Sequence, residues 1–180
     1  MSMAAPAADL VGQTQPVTAE RFCELYAPAV CRFAAMVARS SSEADDIAQE
    51  ALLRAVRRLD RFDPLRGEVG AWLWRIVANV ANDQLRAERR RSALWARLSR
   101  VREATAESVE SLAIDRIDNE RLLSSVRLLG PRDRTLLALR FGADLDLSAV
   151  GAALGLSEAA AGRAVLRALE KLRSSLEVNP

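Results

Sequence analysis

The side chains with chemistry to offer are concentrated in residues 60–91, DRFDPLRGEVGAWLWRIVANVANDQLRAERRR, where a charged loop containing Pro and Gly runs into a long helical pattern with a basic end. On a helical wheel starting at Trp72, an arc of about 120° collects Trp72, Arg75, Asn79, Asn82, Asp83, Arg86, Arg89 and Arg90. The opposite side holds Leu73, Ile76, Val77, Val80, Ala81 and Leu85, a core face. Guanidinium groups neutralise phosphates, carboxamides hydrogen-bond base edges and an indole stacks on an unpaired base. An Arg-rich stripe is more often solvated surface than a binding site. Here an indole and two Asn stand in the stripe at helical spacing, which solvent alone does not require, and the pattern points to nucleic acid.

No other set of residues competes with this face. The chain has no His, which excludes imidazole zinc sites, His-based proton transfer and a Ser/His triad. No Gly-rich phosphate loop and no nucleophile in a recognisable motif is present, so the expectation is a non-enzymatic protein with no metal and no cofactor. Cys23 and Cys31, about 12 Å apart along one helix axis at 1.5 Å per residue, are too far apart for a disulfide within it and are expected as reduced core residues of a cytoplasmic protein. Half of the 180 residues are hydrophobic, enough for a core in one ordinary domain or two small ones. Abundant Ala, Leu and Arg favour helices. The net charge of +2 conceals segregation: residues 75–102 carry eight Arg against Asp83 and Glu88, while residues 103–120 carry six acids against Arg116.

The elements that must position the basic face follow from periodicity and caps. Residues 1–17 lack the basic start and apolar stretch of a signal peptide and read as a flexible tail, and no run is long enough to span a bilayer. Thr18 is expected to cap a first helix reaching about Arg39, with Phe22, Leu25, Tyr26, Ala29, Val30, Phe33 and Val37 as its core face. Ser42 is expected to cap a second, Glu43 to Leu59, with Asp45 reaching back toward the cap. Acids open that helix and Arg54, Arg57 and Arg58 close it, as the helix dipole favours. Residues 92–118 read as a charge-rich linker whose basic start is able to continue as a short helix. From Asn119 helical pattern resumes, and Pro131 is placed to open a helix through Arg140 or Phe141. Asp146 then caps a short helix to Leu154, Gly155-Leu156-Ser157 turns, and Ser157 caps a long helix from Glu158 to about Leu176. Val165, Leu169, Leu172 and Leu176 form its core stripe, and Arg163, Arg167 and Lys171 line another face, a helix-turn-helix pattern for duplex DNA.

In order, SEADDIAQEALLRAVRRLDRFDP and GAWLWRIVANVANDQLR resemble region 2 of the bacterial extracytoplasmic-function sigma factors over residues 20–91. LLGPRDRTLLALRFGADLDLSAVGAALGLSEAAAGRAVLRALEKLR resembles their region 4. The resemblance implies an all-α protein of two small helical domains: residues 18–91 binding core RNA polymerase and the −10 strand, and residues 119–180 binding the −35 duplex. It implies that Asp45, Asp46, Gln49, Glu50 and Arg54 dock on the clamp helices of the polymerase's largest subunit. The loop from Phe62 to Val69, with Asp63 and Arg66, would capture a flipped base of the −10 element. The face carrying Arg75, Asn79, Asp83 and Arg86 would lie along the melting strand. It further implies promoter DNA, core polymerase and an anti-sigma factor as partners, with no membrane insertion.

The chain departs from the family at several positions. Ala78 stands where an Arg often precedes the Asn, Ala149-Val150-Gly151 where Glu-Ile-Ala is usual, and Ala160-Ala161-Gly162-Arg163-Ala164 where the recognition helix usually opens with polar residues. The last of these predicts shallow selectivity at the −35 element, since Ala and Gly have no side-chain groups with which to read bases. A stand-alone helix-turn-helix regulator and a sigma-like protein that titrates a partner without initiating transcription remain as alternatives.

Overall fold

A computed structural model describes residues 18–63, 65, 67–98 and 115–178. The expectations for the tail 1–17, for Arg66 and for linker residues 99–114 lie outside the described residues, as does the side chain of Arg89. Among the described residues the regular elements are all helical: α1 (Ala19–Val37), α2 (Ser41–Val56), a single 3₁₀ turn (Leu59–Arg61), α3 (Val69–Leu98), α4 (Asp115–Leu128), α5 (Pro131–Leu137), α6 (Leu147–Leu154) and α7 (Glu158–Val178).

Helix α1 begins as expected, with Thr18 Oγ1 accepting from the Arg21 amide at 3.3 Å. Phe22, Tyr26, Val30, Phe33 and Val37 are buried. Cys31 is exposed, because it follows Val30 on the α1 stripe and so points away from the core, and the core expectation fails for it; Cys23 is half-buried. The cap of α2 is two residues earlier than expected. Ser40, not Ser42, accepts from the Glu43 amide at 3.1 Å, and Glu43 Oε2 accepts from the Arg39 amide at 2.7 Å. Ser40 and Glu43 have capping-box spacing and Glu is long enough to reach back, whereas Asp45 stays exposed and short of the helix start. The helix ends at Val56 and tightens into the 3₁₀ turn rather than running to Leu59. Helix α3 runs on to Leu98, so the first seven residues of the expected linker are helical.

The second half matches its cap signals closely. Pro131 is the first residue of α5, which continues through Ala138–Gly142 as a π-helical turn. Asp146 Oδ1 accepts from the Ala149 amide at 2.7 Å at the head of α6, and Ser157 Oγ accepts from the Ala160 amide at 3.3 Å at the head of α7. Between them Gly155 takes a left-handed conformation, φ +68°. Gly151 is small for a different reason: a Cβ there would lie 2.7 Å from the Leu156 carbonyl oxygen, so the turn folds directly over it. The halves share one apolar core. Helix α1 packs on α4, α5 and the π-helical turn, and α3 packs on α6.

Candidate nucleic-acid interface

The long helix α3 presents its polar face as expected. Arg75, Asn79, Asp83, Arg86 and Arg90 are exposed, Asn82 is half-buried, and Leu73, Val77, Val80, Ala81 and Leu85 are buried behind them. Trp72 is only half-buried, but its place on the polar side has a packing reason that sequence reasoning lacked. The indole lies 6.4 Å from the Phe22 ring, nearly edge-on, and 5.4 Å from the Phe62 ring. It thereby ties the loop after α2 to the core through aromatic contacts. In that loop Asp63 Oδ1 accepts from the Leu65 amide at 3.0 Å, an Asx turn. Leu65, not singled out from the sequence, is 96% exposed at the loop tip.

A second surface lies beside α3. Asp46, Gln49, Glu50 and Arg54 line a groove of about 710 Å³ between α2 and α3, together with Arg39, Glu43, Leu53 and Gln84. Asp45 is exposed but outside the lining. Arg54 pairs with Glu50 along α2 and reaches Asp83 on α3 at 3.8 Å, so one guanidinium couples the acidic groove to the basic ridge. Leu53 is 49% exposed in this groove. It was hidden in the sequence by its neighbour Leu52, which packs against the core.

In the second half Arg163 and Arg167 stand exposed on α7 with Leu166, itself 62% exposed, between them at helical spacing. Leu166 was missed because an Ala- and Leu-rich segment gives no sign of which Leu faces out. An apolar tip on that ridge suits a thymine methyl group. Lys171 is exposed on the same helix, but its Nζ is 2.6 Å from Asp133 Oδ2 at the start of α5, so it fastens α7 to α5. The core stripe of α7 runs through Ala161, Ala164, Val165, Ala168 and Leu172, with Leu169 and Leu176 at its margin.

Tyr26, the sole tyrosine, is 3% exposed and its hydroxyl has no hydrogen-bond partner among the described residues. Burial, with the nearby Glu68 carboxylate adding to it, pushes its pKa up to about 12. It lines a cavity of about 380 Å³ where Glu68, Ala71 and Trp74 face Leu145, Asp146, Ala149 and Ala152. Among the described residues no single helix is long and apolar enough to cross a membrane.

Two family descriptions match the chain: Sigma-70 region 2 over residues 22–91 and Sigma-70, region 4 over residues 127–174. Among curated proteins the chain is 31% identical over 151 residues to the RNA polymerase sigma factor CarQ of Myxococcus xanthus, covering 84% of each. It is 28% identical over 167 residues to the ECF RNA polymerase sigma factor BldN of Streptomyces coelicolor, covering 91% of this chain but 63% of that longer protein. Among solved structures the fold is similar to the sigma factor RpoE of Bartonella quintana, crystallised with the anti-sigma factor NepR, with TM-score 0.67 and 20% identity over 89% of this chain and 98% of that one. It is also similar to CnrH in complex with the cytosolic domain of CnrY, with TM-score 0.65 and 23% identity over 97% of this chain and 96% of the other.

Proposed function

Because the chain belongs to the extracytoplasmic-function sigma factors, we propose that it directs promoter-specific transcription initiation in the cytoplasm, with residues 18–91 binding core RNA polymerase and the −10 strand and residues 119–180 binding the −35 duplex. The observation that carries this division is the pair of surfaces on the α2–α3 hairpin, an acidic groove lined also by Leu53 and a basic ridge with an exposed carboxamide at Asn79, joined by Arg54. The groove, through Asp46, Gln49, Glu50 and Leu53, suits a protein partner that brings complementary charge. The ridge of Arg75, Asn79, Arg86 and Arg90 suits a separated strand, where phosphates need Arg and unpaired bases need amides and stacking surfaces. On α7, Arg163 and Arg167 supply phosphate or guanine contacts. An anti-sigma factor is a further partner consistent with the family.

Run-off transcription with purified core polymerase tests the reading. Wild-type protein is expected to initiate at a defined promoter, and Asn79→Ala with Arg86→Ala is expected to lose open complex while keeping its melting temperature, since both side chains are exposed. Binding to duplex DNA without any polymerase dependence would favour a stand-alone regulator. Stable polymerase binding without initiation would favour a titrating protein.

A further inference from the structure

The basic ridge of α3 carries one side chain at odds with the rest. Asp83 stands exposed on the same face as Arg75, Asn79, Arg86 and Arg90, and a bare carboxylate there would repel the phosphates that the arginines attract. The partner that local spacing offers is Arg86, three residues further along the same face. Among the described residues, however, Arg86 makes no ion pair. The cation within reach of Asp83 is Arg54 of α2, with a guanidinium nitrogen 3.8 Å from Asp83 Oδ2. Arg54 is aimed by its own helix: its Nε donates to Glu50 Oε1 one turn back along α2, which leaves a terminal nitrogen toward α3. All three side chains remain accessible to solvent, so the pairing contributes little to folding. What it changes is the potential of the surface.

With Arg54 beside it, Asp83 adds almost no net charge to the ridge. Arg86 then keeps its guanidinium for a phosphate instead of closing on a neighbour in its own helix. We propose, on the sigma factor reading, that Arg54 is a positioning residue for strand binding: from α2 it neutralises Asp83, so that a single strand can lie along Arg75, Asn79 and Arg86 without meeting an unpaired carboxylate. The role assigned to Arg54 is thus on the DNA side, although its backbone belongs to the helix that lines the docking groove.

The test uses holoenzyme at saturating core polymerase, so that any part Arg54 has in docking drops out of the reading, and a fluorescent single strand carrying the −10 sequence of a promoter that wild type transcribes. Arg54→Gln keeps an amide to meet Glu50 and removes the charge. It should weaken strand binding about threefold at low salt, the effect of one uncompensated charge about 6 Å from a phosphate in water-like surroundings, with the loss shrinking as salt is raised. Adding Asp83→Asn to that variant should restore wild-type affinity, and Arg54→Lys should retain most of it, because a point charge suffices for neutralisation. Wild-type strand affinity in Arg54→Gln overturns the proposal. So does a loss that Asp83→Asn fails to restore, which would mean that Arg54 touches the strand itself. Weaker binding or a changed base preference in Asp83→Asn alone overturns it as well, since the carboxylate would then be an acceptor for a cytosine amino group rather than a masked charge. Wild-type holoenzyme that forms but neither binds a strand nor makes a transcript removes the sigma factor reading instead.

Discussion

Leu53 gives the sharpest test of the docking groove, because its contribution can be worked out from its exposure. Burying a whole Leu side chain is worth about 1.5–3 kcal/mol. Leu53 is 49% exposed, so roughly 1 kcal/mol of that remains to be gained against a partner, about a fivefold change in affinity. Leu53→Ala should therefore weaken binding of core polymerase about fivefold. Leu53→Asp should weaken it more than about tenfold, since it places a carboxylate in a desolvated contact beside Asp46 and Glu50. Folding should suffer little from Leu53→Ala, less than about 1 kcal/mol, because the outer half of the side chain packs on nothing. The assay is fluorescence anisotropy of labelled full chain titrated with core polymerase at fixed salt, with thermal melts of each variant beside it. Wild-type affinity in both variants, with melting unchanged, would show that the groove is not the docking surface. A drop in melting temperature matching the loss of binding would make Leu53 a structural residue instead.

Since Tyr26 is the only tyrosine, its ionisation can be followed by near-ultraviolet absorbance, and its midpoint should lie near 12 rather than 10.0. Between those values the unfolded chain has released a proton that the folded chain retains, so stability should fall as pH rises through that window and be independent of Tyr26 below it; a midpoint near 10 in folded protein would refute the burial argument. Gly151→Ala should cost about 1–3 kcal/mol, because the methyl meets the Leu156 carbonyl oxygen at 2.7 Å; an unchanged thermal melt would mean that the turn can move aside. At the −35 element, single-base changes should cost less than the ~1–3 kcal/mol typical of direct readout, and any sharp guanine preference should vanish in Arg163→Ala; a saturation scan showing a −35 profile as steep as the −10 profile, and indifferent to that variant, would refute this.

The sequence was legible wherever one local rule decided the outcome. Thr18, Asp146 and Ser157 cap the helices they were expected to cap, and Pro131 opens α5, since each depends only on neighbours within one turn. Ser40 was missed because three serines in a row offer the same cap chemistry, and the choice falls to the partner three residues on. The polar ridge of α3 was readable from its period, but the reason for Trp72 was not, because Phe22 and Phe62 are distant in sequence. Leu53 and Leu166 escaped for a related reason. Periodicity identifies a core face, but an apolar residue on the other face resembles noise until exposure is known. Lys171 read from the sequence only as a DNA contact, and its pairing with Asp133, 38 residues away, was not legible there.

Long-range packing also bears on the alanines at which the chain departs from its family, Ala78 and Ala149. Ala78 is 1% exposed and lies one turn beyond Trp74 on α3. A long cation there would have to leave the core to reach a phosphate. Ala149 does not weaken the head of α6, since Asp146 already holds its amide; with Ala152 it lines the cavity opposite Trp74. The short side chains of Ala149 and Ala152 let α6 approach α3 until a backbone carbonyl meets a guanidinium. A long polar side chain restored at Ala78 or Ala149 would meet packed neighbours before it met DNA, so its effect on transcription is to be read beside a thermal melt of the same variant.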